Sequence, residues 1–241
     1  MKETEGRSQH VAVYRSYYPG TQPDHLHTPY ASSVLRAPKQ PLVRIPQTIG
    51  EVTGPTFSPS LVSAATADLT RQPGGEALGQ RIVVSGRVLD ENGTPVRHAL
   101  VEVWQANSCG RYLHDGDRHD APLDPNFTGT GRVMTDEHGR YQFETIKPGA
   151  YPWRNHYNAW RPAHIHFSLM GPAFVTRLVT QMYFPGDPLL PYDPIFNCTA
   201  DEKARNRLIS TFDWEKVRPE YALAYKWDIV LRGRNETPFE D

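Results

Sequence analysis

Arg161-Pro162-Ala163-His164-Ile165-His166-Phe167 is the stretch on which the reading of this chain turns. Taken as a strand, its side chains alternate, so His164 and His166 share one face and Ile165 and Phe167 the other. The apolar face needs a core to cover it. The paired imidazoles are a preformed set of neutral nitrogen donors that suits a metal. The pair by itself names neither the metal nor the reaction.

Working outward, the same period of two recurs. Residues 82–89 read as a strand, Asp90-Glu91-Asn92-Gly93 turns the chain, and residues 99–104 form a second strand. A third begins at Gly139-Arg140, with Tyr141, Phe143 and Thr145 on one face and Gln142 and Glu144 opposite. Residues 164–170, 175–184 and 225–232 follow, the last with Tyr225, Trp227, Ile229 and Leu231 alternating with Lys226, Asp228, Val230 and Arg232. Strands joined by turns with few helices between them predict an all-β, antiparallel β-sandwich. One helix is expected within residues 200–211, where Thr199 and Glu202 have capping-box spacing and Ala204, Leu208 and Ile209 give an apolar stripe.

Residues 1–75 differ. They are rich in Pro, Ser and Thr, without sustained periodicity, and too long for an ordinary loop. Their tyrosines and scattered apolar residues (Tyr14, Tyr17, Tyr18, Tyr30, Val43, Ile45, Phe57) suggest an irregular arm docked on a partner subunit. The expected organisation is therefore an arm over residues 1–75 and a catalytic β-sandwich over residues 76–241.

Bulk properties narrow the function. A chain of 241 residues suits a single β domain with extensions. A formal net charge of −1 offers no global attraction to nucleic acid or to an anionic membrane. No apolar run approaches the roughly 20 residues of a membrane span. The start, Met1-Lys2-Glu3-Thr4-Glu5, lacks an apolar signal core, so a cytoplasmic protein is expected. Cys109 and Cys198 make neither a disulfide framework nor a thiolate metal site.

Of the ten histidines, His10, His25, His27, His98, His114, His119, His138 and His156 lie in loops, where solvated or structural roles are usual. His164 and His166 need further ligands. Asp115, Asp117 and Asp120 could supply the carboxylate that reactive ferrous sites use. Tyr112 and Tyr151 are the other candidates, although a Tyr beside Pro is more often a packing residue.

Several motifs resemble those of the intradiol ring-cleaving dioxygenases. Val103-Trp104-Gln105-Ala106-Asn107 with Gly110-Arg111-Tyr112 is similar to the family's first signature. Asp124-Pro125-Asn126-Phe127, Thr145-Ile146-Lys147-Pro148-Gly149, Tyr151-Pro152-Trp153-Arg154 and Trp160-Arg161-Pro162-Ala163-His164-Ile165-His166 continue it in the family's order. The likeness covers roughly residue 80 onward. Within the family it is nearest the iron-bearing subunit of two-subunit members, with Thr28-Pro29-Tyr30 and Asp228-Ile229-Val230-Leu231-Arg232-Gly233 in support.

The resemblance implies non-haem Fe(III), one per αβ unit, held by Tyr112, Tyr151, His164 and His166. Two phenolates and one hydroxide would neutralise Fe(III), because a bound cation favours the anionic phenol. It implies an enzyme that uses O2 to open protocatechuate between its hydroxylated carbons, giving 3-carboxy-cis,cis-muconate in the β-ketoadipate route of aromatic degradation. Tyr151 would be the phenolate that substrate displaces and a proton acceptor, with His166 opposite it. Tyr112 and His164 would stay in place. Arg161 would stabilise developing negative charge, and Gln181 would hydrogen-bond Arg161. Trp153 would wall the pocket, Tyr30 would reach substrate or the displaced phenolate, and Trp104 reads as core. The implied partner is a homologous α subunit without iron ligands, in a higher αβ oligomer.

Catechol and hydroxyquinol dioxygenases are the alternatives within the family, but the Pro-rich first 75 residues do not resemble their helical N-terminal segment. Residues 88–96 and 136–143 also resemble transthyretin-like binding modules, which would not need the four ligand residues together. A zinc hydrolase would want a third His, Cys or carboxylate with an open water site.

Overall fold

The alternating apolar residues form the facing layers of two sheets. The computed structural model describes residues 17–43, 60, 62–72, 74–154, 157, 160–170 and 178–240. After a short helix α1 (Ala31–Arg36), a hairpin pairs β1 (Arg71–Gln72) with β2 (Gly75–Glu76). Then come β3 (Arg81–Leu89), β4 (Leu100–Trp104), β5 (Thr130–Met134) and β6 (Arg140–Ile146). The short pair β7 (Tyr151–Pro152) and β8 (Trp160–Arg161) leads into β9 (His164–Met170) and β10 (Leu178–Tyr183). Helices α2 (Pro194–Asn197) and α3 (Glu202–Asn206) precede β11 (Thr211–Phe212), β12 (Leu223–Lys226) and β13 (Ile229–Val230).

One sheet runs β10-β9-β4-β5 and is antiparallel throughout. In the other, β3 pairs antiparallel with β6 and parallel with β12 and β13, and β11 flanks β12. The core fills the space between them. Phe167 of β9 is one of its hubs, with its ring 4.8 Å from Trp227 and 5.9 Å from both Tyr141 and Phe143. Ile82, Val84, Val101, Val103, Ile165 and Leu169 pack around it. Fully burying one such side chain contributes about 1.5–3 kcal/mol. That packing fixes which way β9 faces, so it also fixes which way the two histidines face.

Two elements depart from the expected pattern. Residues 225–232 are not one strand but β12 and β13, separated at Trp227-Asp228 and parallel to β3. The Trp227 carbonyl accepts a hydrogen bond from the Tyr141 hydroxyl at 2.6 Å. It lies so close over Gly86 that a Cβ there would sit 1.7 Å from it. The Asp228 carboxylate then takes the Arg87 N–H at 2.9 Å, in place of a ladder bond. The helix within residues 200–211 is also shorter than its stripe suggests. Asp201, not Thr199, caps it by accepting from Ala204 N at 2.7 Å. The chain leaves the helix at Arg207 so that Leu208 enters the core and Ile209 bridges to Tyr183.

The described part of the N-terminal segment lies on this chain's own body. Tyr17 packs on Phe239 with ring centres 5.5 Å apart, and the Thr21 hydroxyl donates to Glu236 at 2.9 Å. Tyr30 is buried 5.1 Å from Trp153. Val34, Leu35, Leu42 and Val43 are exposed, and Leu69 already belongs to the sandwich core. Tyr14, Ile45 and Phe57 fall outside the described residues.

Candidate active site

The site is built on the outer face of β9. The register places Trp104 of β4 and Gln181 of β10 on either side of His166, and Tyr183 beside His164. Residues directly opposite each other share a face, so these side chains form two rows behind the imidazoles. Trp104, which the sequence suggested was core, is only partly buried. Its indole stacks on the His166 ring at 4.8 Å and 6°.

Two loops bring in the tyrosines. Asn107 closes the first, its side-chain oxygen accepting from Cys109 N at 2.9 Å and Arg111 N at 3.0 Å. The Asn107 carbonyl takes Gly149 N from the second loop at 2.9 Å. The backbones touch at two glycines: a Cβ on Gly110 would lie 2.1 Å from the Ala150 carbonyl oxygen, and one on Gly149 would lie 2.5 Å from that of Ser108. Gly110 also has φ +77°. This approach is what sets Tyr112 against Tyr151, edge to face at 5.4 Å. Gly110→Ala is accordingly expected to cost at least about 1–2 kcal/mol from the left-handed backbone alone, and to part the two rings. Thermal unfolding would show the loss of stability, and weaker colour from iron-bound phenolate would show the loss of geometry.

Four rings close a circle. Ring centres are 5.4 Å apart for Tyr112–Tyr151 and for Tyr151–His164, 4.9 Å for His164–His166 and 6.4 Å for Tyr112–His166. Each imidazole is fixed from behind. His164 Nδ1 lies 2.7 Å from the Pro162 carbonyl, which only accepts, so Nδ1 carries the proton and Nε2 the lone pair. Burial, the Arg161 charge and His166 hold the His164 pKa well below its ordinary value. It is therefore a neutral donor. His166 Nδ1 faces a Glu240 oxygen at 2.9 Å, which leaves its Nε2 as the donor.

The Tyr112 hydroxyl is buried and makes no hydrogen bond among the described residues. Burial first, and Tyr151 next, push its pKa well above that of a free phenol. A buried hydroxyl without a partner costs about 1–3 kcal/mol. A cation seated against it would remove that cost and reverse the proton preference. Two neutral imidazole nitrogens and two phenol oxygens are a donor set that fits Fe(III): hard oxygen anions favour the higher charge, and imidazole completes the shell.

Arg161 stands beside this circle, fully buried. Its Nη1 lies 3.1 Å from His164 Nε2 and 3.4 Å from the Tyr151 hydroxyl. Its Nη2 donates to Gln181 at 2.7 Å, Tyr183 at 2.9 Å and Asp193 at 2.8 Å. Burial opposes the guanidinium charge, but Asp193, Tyr183 and Tyr151 outweigh it and raise the pKa well above its ordinary value. Arg161 is thus a permanent cation aimed at the Tyr151 oxygen. Trp153 lies under the guanidinium, 5.4 Å from ring centre to Cζ, and carries Tyr30 on its other contact.

Of the three loop aspartates, Asp117 does reach the site, but as a brace. It accepts from Tyr112 N at 2.7 Å and from His119 N at 2.8 Å. Among the described residues no three His, Cys, Asp or Glu side chains gather as a metal site. The carboxylates of Asp193 and Glu240 instead sit behind Arg161 and His166.

Comparison with known proteins shows the family. A dioxygenase family model matches residues 52–233. The N-terminal model of the protocatechuate 3,4-dioxygenase beta subunit matches residues 14–48. The protocatechuate 3,4-dioxygenase beta chain of Burkholderia cepacia is 58% identical over 222 residues, 91% of this chain and 94% of that one. This chain belongs to the intradiol ring-cleavage dioxygenase family. The α chain of the Pseudomonas putida protocatechuate 3,4-dioxygenase is a further intradiol relative, 29% identical over 83% of this chain and 99% of that one. The fold is that of 3-chlorocatechol 1,2-dioxygenase from Rhodococcus opacus, with a TM-score of 0.54 at 23% identity over 74% of this chain and 70% of that one. Intradiol dioxygenases generally use non-haem Fe(III).

Three residues around the site escaped the sequence reading. Asp193 left a faint signal, an Asp before Pro that announces a helix start. It does cap α2, through Ile195 N at 3.4 Å. Tyr183 could have been found by extending the alternation of β10 two residues beyond Gln181. Glu240 carried no signal at all.

Proposed function

We propose that this chain is the iron-holding subunit of an αβ intradiol dioxygenase that opens protocatechuate with O2 between its two hydroxylated carbons, yielding 3-carboxy-cis,cis-muconate. The observation that carries the reading is the 58% identity to a protocatechuate 3,4-dioxygenase beta chain across nearly all of both chains. Tyr112, Tyr151, His164 and His166 would hold one Fe(III) per αβ unit. When bound, the iron makes the catecholate of the substrate reactive towards oxygen. The chain's own residues supply the rest.

Both substrate hydroxyls must lose a proton to chelate. Tyr151 would accept one as a phenolate, and its oxygen lies 3.4 Å from the Arg161 guanidinium, which can hydrogen-bond it. Arg161 also faces whatever negative charge develops on the substrate. Gln181 and Asp193 keep its fork aimed there. Trp153 and Tyr30 would wall the aromatic ring. Trp104 keeps the His166 imidazole from turning.

The likeness to a protocatechuate 3,4-dioxygenase α chain supports a second, homologous subunit, which would complete the pocket. No helix among the described residues is long and apolar enough to cross a membrane. A cytoplasmic enzyme that acts on a small soluble acid fits the near-neutral charge.

Oxygen uptake by this chain with and without a candidate α chain, on protocatechuate against catechol, tests the reading. Rapid uptake on protocatechuate with the carboxymuconate as product is expected from the pair. Faster turnover of catechol, or a product cleaved beside the diol, would overturn it.

A further inference from the structure

The two histidines of the site are backed by unlike groups. His164 gives its Nδ1 proton to the neutral carbonyl of Pro162, whereas His166 faces the carboxylate of Glu240 at 2.9 Å. Glu240 comes from 74 residues further along the chain. Its position depends on a strap, residues 236–240, that runs along the outer edge of β10.

The strap is held at nearly every residue. Thr237 N donates to the Val230 carbonyl at 2.8 Å, and Val230 N donates back to the Thr237 hydroxyl at 2.9 Å. The Thr180 hydroxyl donates to the Pro238 carbonyl at 2.6 Å. Glu240 N donates to the Val179 carbonyl at 2.7 Å, one residue from Thr180 and two from Gln181. The N-terminal segment clamps the strap from the far side. Gln22 Oε1 accepts from Phe239 N at 2.8 Å, Thr21 donates to Glu236 and Tyr17 packs on the Phe239 ring.

We propose that Glu240 is a positioning residue of the metal centre, fixing the tautomer and ring orientation of His166 and making its Nε2 a stronger donor than that of His164. The strap and residues 17–22 hold the carboxylate in place. The physical basis is charge. An imidazole that gives its lone pair to a cation becomes more positive, and a carboxylate on its other nitrogen offsets that. A backbone carbonyl does so less. The proposal rests on the reading of the four rings as a ferric site.

The test uses the iron-loaded protein, assembled with its α chain, and two variants, Glu240→Ala and Glu240→Gln. Two quantities are read: the rate of iron loss to a chelator, and the wavelength of the phenolate-to-iron absorption. Loss of a ligand's carboxylate partner typically costs about 10–100-fold in metal affinity. Glu240→Ala should therefore lose iron at least about tenfold faster, with the band of the protein still loaded moved to longer wavelength, since a weaker nitrogen donor leaves iron more electron-poor. Glu240→Gln keeps an acceptor without the charge and should fall between Ala and the wild type. Iron loss at the wild-type rate in Glu240→Ala overturns the proposal. So does faster loss with an unmoved band, which would mean the strap only stabilises the fold. A wild-type protein that binds no iron and shows no such band would instead sink the ferric reading itself.

Discussion

Replacing His164 by alanine is expected to abolish most iron binding, with affinity falling by more than the roughly 100-fold that loss of a ligand's hydrogen-bond partner can cause. His164 is the most thoroughly preorganised of the four rings. Its tautomer is set by the Pro162 carbonyl, and burial with Arg161 beside it keeps it neutral. A cation therefore meets an Nε2 that carries no proton of its own and has only to displace the Arg161 N–H that faces it at 3.1 Å. The alanine variant also leaves a cavity beside Arg161, where the guanidinium loses the ring nitrogen it faces at 3.1 Å. Metal analysis of the purified variant, with absorption in the visible, checks the expectation. A full complement of iron would remove His164 from the donor set.

Asp193→Ala should be the most destabilising single change around the site. The Arg161–Asp193 pair is 2.8 Å long, with side chains 2% and 0% exposed. Deleting one member of such a pair leaves the other charge buried and typically costs about 3–5 kcal/mol. In a chain of this size each kcal/mol moves the melting temperature by about 2–4 °C, so a drop on the order of 10 °C is expected. Tyr183 and α2 lose a hydrogen-bond partner as well. The double change Arg161→Met with Asp193→Leu should recover much of the stability, since apolar replacements of buried pairs are often neutral or better. It should recover none of the activity. Calorimetry on both variants decides, and a single variant that melts within a degree or two of the wild type would contradict the account.

The parts legible in the sequence were those governed by local periodicity. The alternation at 164–170 located β9 and gave His164 and His166 a common face, because a strand repeats every two residues whatever surrounds it. The same logic found β3, β4, β6 and β10. The alternation at 225–232 misled, because what interrupts it lies elsewhere: Gly86 and Tyr141 draw the Trp227 carbonyl down on β3. Trp104 reads as a core residue in the sequence, and only its cross-strand partner reveals that it stacks on His166. Resemblance to a family supplied Tyr112 and Tyr151, which spacing left open.

What the sequence alone determined, then, is the strand pattern, the two-faced β9 and the inventory of donors. Distance in the fold decided the remainder. Glycines at 110 and 149 let two loops touch and set the phenols edge to face. Asp193 neutralises Arg161 from 32 residues away, and Glu240 reaches His166 from 74. Buried charges need partners wherever packing can place them, and packing joins segments without regard to their separation in the chain. Local periodicity carries no record of such pairings, so the groups behind Arg161 and His166 became visible only once both sheets and the C-terminal strap were in place.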